Sequence, residues 1–356
     1  MQIIIGDGLT RGNLSPEKQF QGIQRNVGAR EIGRLMGAGR AFGKGPLPTF
    51  LRQVTGQAPD GPRLILLRDQ TPSGGDIGET DELQEVKREW VEPLEEVAEA
   101  AHVVPCPQDQ IAWKDLVEAL AVVSGSEVAG IESGTAPLSF LVLGCHTEKR
   151  IQALATFLKN VLGFPQVAVC SHLVGSGTQE AHFATLRHNL PRSGAQVLLD
   201  LSEAVGWVGM EPDTAAPPLV GPCQIDPPEA REGLSEEATR IIQLICMHWS
   251  RAHLRPLAGG YSGSLLFLAD GWKGNARTEP FVVKIDDFGQ MRREIDGYHQ
   301  VKDFFGKHVP TFGYPVSERE SLGVGMELAA MEGRPTTLQD HFEAAEDEGS
   351  TARFFG

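Results

Sequence analysis

The chain has 356 residues, 41% of them hydrophobic and 22% charged, and carries a formal net charge of -15. That length exceeds what one core usually fills, so two domains are expected. The acidic balance disfavours a nucleic-acid partner, because a surface of this sign repels phosphate backbones. No uninterrupted apolar run approaches bilayer length, and the short run at the start meets Asp7 with no basic leader before it, so neither a membrane partner nor a secretory signal is expected and the location reads as cytoplasmic. Cys106, Cys145, Cys170, Cys223 and Cys246 are scattered, with no Cys-x-x-Cys or Cys/His grouping, and point to neither a metal site nor a disulfide framework.

Residues 1–60 read as an N-terminal extension packing on the first domain: a short strand at Gln2 to Ile5, a helical stretch from Ser15 to Arg34, then the glycine-punctuated GAGRAFGKGPLP. Gly37, Gly39, Gly43 and Gly45 resemble a phosphate loop only in composition. No strand precedes them, and Lys44 is followed by Gly45 instead of Ser or Thr, so an ordinary loop is expected. At Arg63 the pattern becomes RLILLRD, an aliphatic run suited to a strand covered on both faces, with Asp69 at its carboxyl end. Residues 82–101 place Val86, Trp90, Leu94 and Val97 at helical spacing. A helix from Ala112 to Val123, a strand from Ser139, a helix from Glu148 to Leu162, a strand ending at Cys170, a helix from Gln179 to Asn189 and a strand ending at Asp200 complete the alternation. This rhythm predicts a doubly wound parallel sheet over 61–208. Residues 209–234 are rich in proline and read as a linker, and 235–345 as a smaller α+β domain opened by a helix that Ser235 caps, with 346–356 as a tail.

Gly144 and Thr147 after the strand at 139, His182 on the next helix and Asp69 at a strand end together resemble the isochorismatase-like cysteine hydrolases. The resemblance covers about 140 residues and implies a nucleophilic cysteine three residues after the threonine, a carboxylate and a lysine. Arg150 stands at the nucleophile position, and HVVPCPQDQ supplies no lysine. A guanidinium stays protonated and cannot attack a carbonyl, so the pocket of Asp69, Thr147, Arg150 and His182 reads as catalytically degenerate. Cys145 and Cys170 remain as alternative nucleophiles for an active hydrolase of amide or ether bonds, against their reading as small core residues.

From Leu254 the chain resembles the amino-terminal lobe of the protein kinase and aminoglycoside phosphotransferase superfamily, on a loop with Gly259, Gly260 and Gly263, a strand lysine at Lys284 and a helix glutamate at Glu294. The resemblance implies ATP as a ligand, bound weakly, with Glu327 and Ala329 near the adenine. No catalytic loop follows. The combined expectation is a pseudoenzyme: a degenerate hydrolase-like domain fused to a truncated kinase-like lobe, binding a small molecule or a protein in bacterial-type signalling, with homo-oligomers allowed. The alternatives are the cysteine hydrolase and a kinase fragment lacking its second lobe.

Overall fold

The computed structural model describes the chain except residues 16–26, 28, 57–60, 70–88, 108–109, 200, 211–222, 231, 248, 258–262, 274, 306–311, 314, 319 and 328–356. Six strands form the first sheet: β1 (Gln2–Asp7), β2 (Arg63–Asp69), β3 (His102–Cys106), β4 (Ser139–Cys145), β5 (Gln166–Gly175) and β6 (Gln196–Leu198). Their order is β3-β2-β1-β4-β5-β6, and every pairing is parallel. The doubly wound α/β expectation is met, with one correction. The chain's first strand lies inside the sheet, between β2 and β4, so this unit begins at Gln2 and residues 1–60 are not an appendage. Ile3, Ile4 and Ile5 are all fully buried, as a strand covered on both faces demands.

Side chains alternate between two apolar layers. Ile3, Ile5, Ile65, Leu67, Phe140 and Val142 pack on one face, and Ile4, Leu64, Leu66, Leu141 and Leu143 on the other. The second layer is closed by the helices Ala29–Met36, Pro46–Thr55 and Leu201–Trp207. The helix Trp113–Ser124 lies on the first layer, one residue from its expected start. Residues 147–161 are helical throughout, with the first and last turns wound more loosely than an α-helix. Of the helix expected over 82–101, residues 82–88 lie outside the described residues; Trp90 forms a β-bridge with Thr10, and Glu92–Leu94 and Glu95–Glu99 are helical.

The glycine-punctuated loop is structural. Gly43 and Gly45 both donate their amides to Met36 O, at 2.7 and 3.0 Å, so these N–H groups are already used and offer a phosphate nothing. A side chain at Gly45 would fall 2.3 Å from the Gly37 nitrogen, which explains why glycine occupies that crossing.

A second sheet holds β7 (Gln224–Asp226), β8 (Arg251–Pro256), β9 (Leu265–Lys273), β10 (Ala276–Arg277), β11 (Phe281–Asp287), β12 (Val316–Glu318) and β13 (Ser321–Glu327). The order is β12-β13-β11-β9-β8-β7, with β10 on β9. All pairings are antiparallel except β7 with β8. Gln224–Asp226 was expected within the linker and is instead an edge strand of this sheet. The helix Glu236–Ile245, capped by the Ser235 hydroxyl accepting from the Ala238 amide at 3.0 Å, covers one face through Ile241 and Ile245. The helix Phe288–Phe305 covers the other, where Met291 and Ile295 meet Leu322 and Val324.

The two sheets share a continuous apolar cluster that runs from Ile3 and Phe140 to Val283 and Ile285. Arg187, on the helical segment Thr185–Asn189, donates to Leu244 O at 2.9 Å and Ile245 O at 2.8 Å, the last carbonyls of the helix Glu236–Ile245. These are groups a helix end leaves unpaired, and a cation is well placed there. Arg240 reaches back to Glu203 at 2.8 Å and to Val197 O. Among the described residues no helix is long and apolar enough to cross a membrane.

Candidate functional site

The carboxyl ends of β1, β2, β3 and β4 converge, and in an open parallel sheet this edge forms the ligand crevice. Asp7 ends β1, Asp69 ends β2, and Cys106 ends β3 opposite Asp69 in register. Gly144 on β4 pairs with Asp7 at φ +118, and a Cβ there would sit 1.9 Å from Asp7 O, so only glycine lets the two strands approach so closely. His146 follows in the left-handed region at φ 62, and helical backbone starts at Thr147. Its Nε2 lies 3.2 Å from Asn13 Oδ1, and Asn13 Nδ2 donates to Gly8 O at 3.0 Å, tying this turn to the residue after Asp7.

One turn into that helix, Arg150 is clamped by both acids. Its Nε donates to Asp7 Oδ2 at 2.6 Å and its Nη1 to Asp69 Oδ1 at 2.8 Å. The Asp7 side chain is 1% exposed and that of Arg150 14%, whereas Asp69 is 39% exposed and faces the opening. Burial pushes the Asp7 carboxyl up to about 6, a rise that the Arg150 charge opposes and does not cancel. For Arg150, burial alone would lower the pKa, but Asp7 and Asp69 outweigh it and hold the guanidinium protonated. Arg150 Nη2 is buried with no hydrogen-bond partner among the described residues.

Asp69 was expected as the acid ending the first strand. It ends the second, and the acid that ends the first strand is Asp7. The signal was present: QIIIGD repeats the pattern of RLILLRD, an aliphatic run closed by an aspartate. Thr147 and His182 meet, with Oγ1 and Nδ1 3.0 Å apart, in a buried pair on adjacent helices. Burial drives the His182 pKa well down, so the imidazole is neutral. Glu148 accepts from the Ser176 hydroxyl.

Cys145 and Cys170 are fully buried in the aliphatic layer closed by Leu35, Met36 and Leu51. Burial raises the Cys145 thiol well above the usual range, the opposite of what a nucleophile needs. Cys106 is also fully buried, and its thiol is raised by the same cause.

In the second sheet, Lys284 sits on the interior strand β11, and its Nζ donates to both carboxylate oxygens of Glu294 at 2.6 Å. Val283 and Ile285 on either side are buried toward the helix Glu236–Ile245, so the lysine emerges on the face of the helix Phe288–Phe305. Gly263 has φ +77 with open space where a Cβ would stand. Gly259, Gly260 and Ala329 lie outside the described residues. Among the described residues no group of three His, Cys, Asp or Glu side chains is placed to hold a metal ion.

No family model matches the chain, and no curated protein matches it. Among solved structures, the nicotinamidase SaPncA from Staphylococcus aureus is similar at 11% identity, over 55% of this chain and 98% of that one. The TM-score is 0.31, a level of likeness that decides nothing about this chain's chemistry.

Proposed function

We propose that the chain is a ligand-binding protein in which an isochorismatase-like crevice no longer hydrolyses, joined to a kinase-like lobe that engages a nucleotide through Lys284. The observation that carries the reading is Arg150, locked between Asp7 and Asp69 at the position where the resemblance implies a cysteine. A guanidinium offers hydrogen-bond donors and charge, and no nucleophilic lone pair. The buried thiols nearby have raised pKa values and supply no substitute.

The lysine–glutamate pair supports the second half of the reading. Glu294 holds the Lys284 ammonium in one orientation, so a phosphate approaching that face meets a fixed charge. A signalling role follows as the use for two binding sites on one packed frame.

The test is an assay of purified protein against a panel of small amides and vinyl ethers, beside calorimetry with ATP. The expected result is no turnover, together with nucleotide binding that depends on Lys284. Hydrolysis by the unmodified protein that Arg150→Ala abolishes overturns the reading.

A further inference from the structure

The face of the second sheet that carries Lys284 also carries a charged group that the proposed nucleotide site does not use. Asp270 lies on the interior strand β9 and is 5% exposed. Aspartate is disfavoured in strands, and a buried carboxylate must be paired, so this position needs a counter-charge. Two arrive from the strands on either side. Arg277 on β10 donates from Nη2 to Asp270 Oδ1 at 2.6 Å, and Arg255 on β8 donates from Nη2 to Asp270 Oδ2 at 3.3 Å. Each carboxylate oxygen thus holds a different guanidinium.

The arginines themselves stay open. Their side chains are 59% and 52% exposed, and neither makes a further hydrogen bond among the described residues. Most of each guanidinium's donors are therefore unused by the fold. Arg251, on the same face of β8, lies over the Trp272 ring at 4.4 Å and pairs with Asp226 at 3.6 Å. Three guanidinium charges against two carboxylates leave this face positive, in a chain whose net charge is -15.

We propose that Arg255 and Arg277, anchored by Asp270, bind a phosphate group, either free or as the monoester of a small molecule. A phosphate presents several acceptor oxygens, and a guanidinium fork meets two of them at once. The group of two arginines and one aspartate is positive, so a dianion gains more from it than a monocarboxylate does. The site is distinct from that at Lys284. Lys284 pairs with Leu266, and the run of β9 from Leu266 to Asp270 spans about 13 Å. Asp270 is a positioning residue here: it subtracts charge from the face and in return fixes both forks.

The experiment is calorimetric titration of the full chain with inorganic phosphate and with glycerol phosphate at constant ionic strength. It uses the Lys284→Ala background, so that phosphate held by the proposed nucleotide site does not contribute. Saturable binding is expected; if both probes bind, the ligand is a monoester, and if inorganic phosphate alone binds, it is the free ion. Arg255→Gln and Arg277→Gln should each weaken binding at least about tenfold, the loss typical of a charge-assisted hydrogen bond. Arg277→Lys keeps the charge at an exposed position and loses the fork, so it should also weaken binding, and it stands in if a glutamine variant folds poorly. Asp270→Asn separates positioning from charge. It makes the face more positive, so a patch that merely sums charge would bind phosphate more tightly, whereas a clamp that needs its anchor binds it more weakly. No saturable binding, binding that the arginine variants leave within about twofold, or tighter binding by Asp270→Asn would each overturn the proposal.

Discussion

Replacing Arg150 with alanine strips a buried carboxylate of its counter-charge, and the structure sets the size of the result. Asp7 is buried and bonded to the guanidinium at 2.6 Å. With charge centres roughly 4 Å apart and an effective dielectric of about 20, the attraction lost is about 4 kcal/mol. This corresponds to about three pKa units, which would carry Asp7 from about 6 toward roughly 9. The carboxyl then escapes most of the penalty near neutrality by holding its proton. The sign follows from proton counting. Between the unfolded value of 3.8 and the folded value the native state binds the extra proton, so stability falls as pH rises through that window and levels off above it. In the unmodified protein the fall ends near 6, whereas in Arg150→Ala it continues to about 9, adding a deficit of about 1.4 kcal/mol per pH unit. Urea unfolding at about pH 5.5, 7 and 8.5 reads this directly. Asp7→Asn combined with Arg150→Ala should remove the extra slope. A pH-independent deficit in Arg150→Ala would refute the reasoning, because it would mean that Asp7 is solvated once the arginine is gone.

Gly144→Ala should cost more than about 3 kcal/mol in the same unfolding assay, since the new Cβ meets Asp7 O and φ +118 strains any other residue. Arg187→Met should cost about 2 to 4 kcal/mol by stranding the carbonyls of Leu244 and Ile245; a loss within about 0.5 kcal/mol would show that the helix end is otherwise satisfied. Nucleotide triphosphate binding is expected on the order of 0.1 to 1 mM by calorimetry. Lys284→Ala should weaken it, and Glu294→Ala should weaken it less because the glutamate only orients the ammonium.

Most of the first sheet was legible because its strands are buried on both faces, and a run such as RLILL or SFLVL has few other uses. β1 was visible as a strand but was assigned to an appendage, since its run is short and the next pairing strand lies far along the chain. That misplacement also hid Asp7, whose role depends on which strand ends lie side by side and not on any local motif. Arg150 and Asp69 were picked out together by the resemblance, Arg150 as the residue three beyond Thr147, while the second acid, Asp7, emerged only from the sheet order. The edge strand Gln224–Asp226 was unreadable because three residues beside a proline-rich stretch carry no periodicity, and its partner β8 follows an intervening helix. Lys284 and Glu294 were expected as a pair from the resemblance, and they do meet, one on a strand and the other on the helix directly after it.

The ion cluster is a costly arrangement for an apolar fold to bury. Desolvating Asp7 and Arg150 consumes much of what their attraction returns, and packed apolar side chains of similar volume are often as stabilising or more so. The surrounding layers are built from isoleucine, leucine and valine, so an apolar filling was well within reach of this fold. A buried guanidinium held in one orientation, with Asp69 half open to solvent at the crevice edge, instead preserves directed donors and charge where the strands end. Among the described residues, Arg150 Nη2 is buried with no hydrogen-bond partner.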